Sequence, residues 1–547
     1  MTATEVPIRL FGAAQTDAFV AQGLWIGKTV YQLLIEAAAR TPAKTAIVDG
    51  PCRLTYTDVV EATRRIVTVL REHRISAGDI VAVQLPNWRQ FPLIEYALAA
   101  IGAACIPLSP IYRGRELQAI FSIARPKAVI GASEFRGFDY APLYREIAGR
   151  FGIERNFLAG GAADNDDFLD FDKLWAEAAP ATVVTPVDAS SLSEIAFTSG
   201  TTGEPKGAMH SHNTNLCPLV SVARRSGLGA DEVILMASTF GHQTGFCYGG
   251  QLPILLGGTL VLMDSWNGER GLELINREGV TWMMGATPFL QDLVMAAEKR
   301  QQGAISLRNF LCSGAPIPGP LLQQAYQRLG CTITTGWGMT EVGCVTLTSP
   351  GDSVELIMSS DGHCLEGMEV RVVDAAGAAI IDQEGDILCR GPSLLAGYFA
   401  RPDLTEASYR DDGWFVTGDR GVLYPNNYLR LTGRSKDIII RGGENIPVIE
   451  IENVIYRHPK VDMVALVAMP DPRLQERVCA FLVLKDGQQM NLQELCSFLT
   501  AEQVARPFHP ERIEIRDHLP MTPSGKIQKF ALREMIRQQI AAEKMAN

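Results

Sequence analysis

The sequence predicts an α/β protein. A large N-terminal domain of parallel sheets covered by helices, ending in a small β unit, precedes a small α+β C-terminal domain. Three observations lead there. Apolar strand-like runs alternate with helical stretches over most of the chain, the rhythm of parallel strands joined by crossover helices. After about residue 345, short Gly-rich strands replace that rhythm. From Ser435 a third, mixed pattern begins, so the domains are expected at 1–433 and 434–547, with the β unit over about 346–433.

In chain order, VAVQLPNWRQFPLIEYALAAIGA (81–103) reads as strand, turn at Pro86-Asn87, and apolar-faced helix. KAVIGA (127–132) is a strand. Further strands are expected near 233–237, 259–263, 281–285 and 308–312, each followed by a helix. Residues 233–263 contain no Asp, Glu, Lys or Arg and are long enough to span a bilayer. Six Gly, a Pro, His242 and two Gln break that stretch into strand, turn, helix (about 244–256), turn and strand, which fits a buried core better. MEVRVVD (368–374), GDILCRG (385–391) and NYLRLTGR (427–434) supply the β unit. In the last part, DIIIRG, DMVALVAM and RVCAFLVLK read as strands. VIEIENVIYRHP, NLQELCSFLTAEQV and KFALREMIRQQIAAEK read as helices.

Composition narrows the function classes. The 547 residues are 47% hydrophobic and 20% charged, which is globular rather than disordered. The net charge is −11, of which the part from Arg434 onward contributes 16 − 15 = +1 and the remainder 34 − 46 = −12. No basic stripe suggests a nucleic-acid partner, so an anion must be caught by a local site. The 11 cysteines show no C-x-x-C framework and the eight histidines no HExxH, so neither a disulfide scaffold nor zinc is expected. Scattered cysteines and the lack of a signal-peptide pattern suggest a cytoplasmic setting.

Five stretches carry chemistry. EIAFTSGTTGEPKGAMHSH (194–212) ends a strand in a Gly/Ser/Thr loop, whose N–H groups and hydroxyls suit phosphate oxygens, with Lys206 as a mobile charge. It is not a Walker loop, because Pro205 precedes the Lys and the glycine spacing differs. TTGWGMTEVG (334–343) offers Glu341 as a carboxylate beside a phosphate site, a reasonable Mg²⁺ ligand. Its Trp337, between Gly336 and Gly338, is a flat surface next to open backbone, or a core Trp in a tight turn. GWFVTGDRG (413–421) places Asp419 where it can accept ribose hydroxyls or simply cap a turn. TGRSKDIIIRGGENIPVIEIE (432–452) sets charges and a Gly pair at a domain boundary, where hinges sit. PMTPSGKIQKF (520–530) puts Lys526 in a polar loop, which alone means little.

Together and in this order, TSGTTGEPKG, GWGMTE, TGD, GRSKDIIIRGGENI and PSGKI resemble the adenylate-forming superfamily: acyl-CoA synthetases, aryl-CoA ligases, luciferases and peptide-synthetase adenylation domains. The likeness runs from roughly residue 30 to 535. QLPNW, GHQTGF and ATPF look most like short- and medium-chain or cyclohexanecarboxylate-type ligases.

The resemblance implies an enzyme with ATP, Mg²⁺ and coenzyme A. It would convert a monocarboxylic acid, medium-chain or alicyclic, to acyl-AMP and pyrophosphate and then pass the acyl group to CoA. By carry-over, Thr198, Ser199, Gly200, Thr201, Thr202, Gly203 and Lys206 would hold the β- and γ-phosphates. Gly314, Ala315, Pro316, Gly336, Trp337 and Gly338 would border the adenine, and Asp419 and Arg434 the ribose. Thr340 would contact the α-phosphate, Glu341 the Mg²⁺, and Lys526 would bridge acid and α-phosphate. His242, also a catalytic candidate, joins Phe246, Ala286, Thr287, Cys312, Gly336 and Met339 at the acyl site. Lys436 would be the hinge of a mobile C-terminal domain, and Arg441, Gly442, Gly443 and Glu444 would face CoA. Trp337 stands where many relatives have Tyr, and Ala208 where many have Val; neither is expected to touch the chemistry. The rivals are an aryl-acid CoA ligase, an enzyme loading a carrier-protein thiol, and a non-catalytic nucleotide binder. Intact Lys526, Glu341 and Asp419 argue against the last. The partners implied are small molecules, with a homodimer compatible.

Overall fold

The computed structural model describes residues 11–161, 168–199, 205–313, 317, 319–434, 439–441, 444–446, 448–471, 474–502, 504, 506–522 and 525–546. Among these, strands form sheets of nine, seven, four and five, plus a two-stranded ribbon. In the nine-stranded sheet, Thr45–Asp49, Thr259–Leu262, Val233–Met236, Trp282–Gly285, Asn309–Ser313 and Thr332–Met339 lie side by side and parallel. Helices Gly268–Glu278, Thr287–Arg300 and Gly319–Leu329 connect successive strands. Thr259–Leu262 and Trp282–Gly285 are buried at every position, as expected of strands covered on both faces. This is why they read as unbroken apolar runs. Gly343–Leu347 and His363–Cys364 add two antiparallel strands at one edge of this sheet.

The seven-stranded sheet is centred on Ile80–Gln84, flanked in parallel by Ala104–Pro107 and Ala128–Ala132. At its edge, Leu192–Ser199 and Pro205–Ser211 form an antiparallel hairpin. Glu369–Val373, Glu384–Arg390, Phe415–Leu423 and Leu429–Arg434 make the four-stranded antiparallel sheet. The last sheet is built on the long hairpin Val461–Asp471 and Gln475–Leu484. One of its faces packs Leu466, Ala480 and Leu482 with Ile451 and Leu495, and the other packs Val467 and Phe481 with Leu532 and Ile536. Alternate residues of one strand thus feed different helices.

The stretch 233–263 is strand, helix and strand, and among the described residues no helix is long and apolar enough to cross a membrane. Its helix differs from the expected regular one: Thr244–Gln251 is a π-helix that runs into the α-helix Leu252–Leu256. Tertiary contact explains the difference. A Cβ on Gly245 would lie 2.2 Å from the Thr239 carbonyl oxygen, and one on Gly250 2.1 Å from Glu95 Oε2. The Tyr96 hydroxyl donates to the Gly250 carbonyl at 2.6 Å. The wider helix fits where a regular side chain would collide.

Buried ionisable groups give the fold an expected pH profile. Burial lowers His210, His212 and His242 to about 4, and raises Glu194 to about 8 and Glu95 well above the carboxylate range. On unfolding, the imidazoles regain proton affinity near 6.5, so stability falls as pH drops from there toward about 4. The carboxyls act oppositely. They lose protons near 4.5 when unfolded, while folded Glu194 keeps its proton to about 8, so stability falls as pH rises across that window. We expect the melting temperature to peak near pH 6.5, where the histidine term has saturated and the carboxyl term still operates. Calorimetry from pH 4.5 to 8.5 checks this, and a melting temperature still climbing at pH 8 would contradict it.

Candidate functional site

Parallel strands deliver their C-terminal ends to one edge of the sheet, where α/β proteins bind ligands. Register aligns Gly285 with Cys312, Cys312 with Thr335, and Ser313 with Gly336. The Ser313 hydroxyl donates to the Gly336 carbonyl at 2.9 Å, and Thr287 Oγ1 lies 3.8 Å from Cys312 Sγ. Ala286, Thr287, Cys312 and Gly336 therefore form one rim. Phe246 is fully buried against Phe91, with ring centroids 6.4 Å apart, and Cys312 is also fully buried. Phe246 and Cys312 belong to separate parts of the core, so Cys312 lies beneath the rim, while Met339 is half-buried at the end of strand Thr332–Met339.

His242 sits at the start of the π-helix. Its Nδ1 accepts from the Thr244 N–H at 3.2 Å, which leaves the proton on Nε2. Burial first, and the nearby Lys526 charge second, lower its proton affinity to about 4, so the imidazole is neutral. Lys526 lies on the loop between Met521 and Ile527, which form a bridge. The loop is tight: Thr522 N–H donates to the Lys526 carbonyl at 2.7 Å, and Lys526 N–H to Thr522 Oγ1 at 3.0 Å. Gly525 has φ +80°, and a Cβ there would lie 3.3 Å from Pro288 Cγ. Gln291 Nε2 donates to Asp462 Oδ1 at 3.3 Å. The Lys526 loop thus rests on the start of helix Thr287–Arg300, close to the rim and to His242.

On the other side of the rim, Thr340 and Glu341 follow strand Thr332–Met339. Glu341 is 8% exposed, and its Oε1 accepts from the Tyr398 hydroxyl at 2.9 Å. Lys206 Nζ lies 5.3 Å from the centre of the Tyr398 ring. His210 Nε2 is 2.8 Å from the Thr340 carbonyl, and Nδ1 is 3.2 Å from Thr214 Oγ1. With this imidazole neutral, Nε2–H donates to the carbonyl and Nδ1 is left as an acceptor facing the Thr214 hydroxyl. Asp419 Oδ2 accepts from Trp337 Nε1 at 2.8 Å, and Asp419 pairs with Arg434 across the strands. Trp337 was expected to stay clear of the candidate site residues, yet its indole nitrogen is hydrogen-bonded to Asp419, one of them.

The structure brings Lys206, Thr340, Glu341, Trp337 and Asp419 together, and sets Lys526 beside His242. Lys206 is a strand residue paired with Thr198, so the loop is shorter than its composition suggests. Gly200, Thr201, Thr202, Gly203, Gly314, Ala315, Pro316, Lys436, Gly442 and Gly443 lie outside the described residues, as do the side chains of Ser199, Arg434 and Glu444. Arg441 is engaged within its own domain, with Nε 2.7 Å from Glu511 Oε1. Sequence reasoning missed Tyr398 and His210. Tyr398 is 57 positions from Glu341 and His210 is 130 from Thr340; His210 falls inside the stretch 194–212, but its partner is visible only in the fold.

Among the described residues, no group of three or more His, Cys, Asp or Glu is arranged to hold a metal. One carboxylate, Glu341, near the phosphate-loop strand still fits Mg²⁺, which takes most of its oxygens from water and substrate phosphates.

Comparison with known proteins gives a consistent result. Residues 34–399 match the AMP-binding enzyme family, and residues 450–526 match the AMP-binding enzyme C-terminal domain. The chain is 33% identical over 537 residues to the medium-chain fatty-acid–CoA ligase of Escherichia coli K12, covering 97% of this chain and 95% of that protein. It is 30% identical over 529 residues to the 2,3-dihydroxybenzoate-AMP ligase of Bacillus subtilis 168, covering 96% and 97%. The crystal structure of ATP-bound MatB from Rhodopseudomonas palustris superposes with a TM-score of 0.85 at 25% identity, covering 94% of this chain and 99% of that one.

Proposed function

This chain belongs to the AMP-binding enzymes, and on that premise we propose that it is an ATP-dependent acid–CoA ligase for a medium-chain or alicyclic monocarboxylic acid. In the first half-reaction a carboxylate oxygen of the acid attacks the α-phosphorus of ATP and pyrophosphate leaves. In the second, the CoA thiol attacks the acyl carbonyl and AMP leaves. The observation that carries this reading is the meeting of Lys526, from the small domain, with His242 and the Ala286–Pro288 rim of the large one. Two anions must approach each other for adenylation, and a cation between them stabilises the charge developing there. Neutral His242 lines the carboxylate end without adding a second charge.

Lys206 steadies the leaving pyrophosphate, Asp419 takes the ribose hydroxyls, and Trp337 holds Asp419 for them. Glu341 would hold Mg²⁺ together with phosphate oxygens, and the ion would supply charge neutralisation there. The second half-reaction needs no cation at the Lys526 position, and rotation about Lys436 would withdraw it.

The acid class rests on two supports. The acyl-site residues Phe246, Ala286, Thr287, Cys312 and Met339 carry no Lys or Arg for a second carboxylate. The E. coli relative acts, by its name, on medium-chain fatty acids. Likeness to the B. subtilis 2,3-dihydroxybenzoate-AMP ligase supports a second reading, activation of an aryl acid. CoA-dependent AMP release across octanoate, cyclohexanecarboxylate, benzoate and 2,3-dihydroxybenzoate tests the choice. We expect kcat/KM for the first two to exceed the aryl acids at least tenfold. Aryl acids ahead, or adenylation without transfer to CoA, would overturn the assignment.

A further inference from the structure

We propose that Tyr398 is a positioning residue that ties the metal-side carboxylate to the phosphate-loop strand, setting Glu341 for the divalent cation and Lys206 for the phosphates. The proposal deepens the reading of Glu341 given above and rests on it.

The backbone makes the case first. Residues 396–399 are zipped onto strand Pro205–Ser211: Ala396 N–H donates to Met209 O at 2.7 Å, Met209 N–H to Gly397 O at 2.9 Å, and Phe399 N–H to Gly207 O at 2.7 Å. The Tyr398 N–H is taken by Thr405 Oγ1 at 2.9 Å. The ring consequently has little freedom, and only 5% of Tyr398 is exposed. The same segment reaches the strand end opposite, where Leu395 N–H donates to the Glu341 carbonyl at 2.8 Å. Glu341 is gripped twice by one segment, through its main chain and through its carboxylate.

The side chain then does two jobs. Its hydroxyl donates to one carboxylate oxygen, which fixes the plane of the carboxyl group. A carboxylate held in one rotamer meets a cation without an ordering cost at binding. Its ring face stands 5.3 Å from the Lys206 ammonium, an attraction that parks the lysine near where phosphates arrive. A phenol is protonated at neutral pH, so the hydroxyl is the donor and the carboxylate oxygen the acceptor. No proton transfer is involved, and Tyr398 acts only through Glu341 and Lys206.

The test separates this role from a packing role. Mn²⁺ binding to the full-length protein with α,β-methylene-ATP, read by electron paramagnetic resonance of free Mn²⁺, would be compared for the wild type, Tyr398→Phe and Glu341→Gln. Phe keeps the ring over Lys206 and removes only the hydroxyl. We expect Tyr398→Phe to weaken Mn²⁺ about tenfold. The half-saturating Mg²⁺ for ATP–pyrophosphate exchange should rise by a similar factor, while the rate at saturating Mg²⁺ stays within about threefold. Tyr398→Leu, which also loses the ring, should additionally weaken the nucleotide analogue without metal. If Tyr398→Phe binds Mn²⁺ like the wild type while Glu341→Gln does not, Tyr398 is only a packing residue and the proposal falls. If Glu341→Gln also binds Mn²⁺ normally, the reading of Glu341 itself fails and takes the proposal with it.

Discussion

Replacing Lys526 with alanine is expected to abolish acyl-adenylate formation while sparing transfer of the acyl group from preformed acyl-AMP to CoA. The lysine loop is held by Thr522 and seated on the rim at Pro288, which brings the Lys526 charge beside His242. Losing a preorganised charge-stabilising group of this kind costs about 10²- to 10³-fold in rate, or about 3–4 kcal/mol. His242 cannot substitute. Its imidazole is neutral at working pH, and removing Lys526 leaves burial as the main reason it resists a proton. The measurement is a pair of single-turnover assays, one from acid and ATP, the other from synthetic acyl-AMP and CoA. Equal losses in both would remove Lys526 from the first half-reaction, and unchanged adenylation would remove it from the chemistry.

The second large effect is expected at Gly338. This residue lies where strand Thr332–Met339 pairs with Gly343–Leu347, beside a register shift between Trp337 and Gly338. A Cβ on Gly338 would stand 2.1 Å from the Gly343 carbonyl oxygen and 2.9 Å from Cys344 Cα. Both are backbone atoms, so no side chain can turn aside. The ladder must open by about an ångström, a displacement that can cost about 10²-fold when it reaches a catalytic constellation. Trp337 and its bond to Asp419 lie on one side of Gly338, and Thr340 and Glu341 on the other. Gly338→Ala is therefore expected to reduce ATP–pyrophosphate exchange about 10²-fold, with a stability loss of only about 1–3 kcal/mol. Exchange is compared with the thermal unfolding midpoint. Normal exchange in a folded variant would show that the strand end tolerates the shift.

The fold was largely legible because its sheets follow local rules. Val233–Met236, Thr259–Leu262, Trp282–Gly285 and Asn309–Ser313 lie within a residue or so of the ranges that apolar periodicity suggests. Each is a short buried run, and the helices after them close the same crossover unit. The π-helix Thr244–Gln251 was not legible. Its glycines are crowded by the local Thr239 carbonyl at Gly245 and by Glu95 and Tyr96 at Gly250, and the last two come from a distant part of the chain.

In the site the division is sharper. The sequence alone determined the chemical types and their order: a Gly/Ser/Thr stretch with Lys206, Glu341 after a strand, Asp419 after Gly418, and Lys526 near the end. These are single residues whose charge or backbone freedom is readable wherever they fall. Only the tertiary structure decided which groups hold them. Tyr398 on Glu341, His210 on the Thr340 carbonyl, Trp337 on Asp419, and the neutral state of His242 all arise where separate strands and domains meet. Hydrogen bonding and desolvation act over a few ångströms of space, whatever the distance along the chain, so no local pattern in the sequence could encode them.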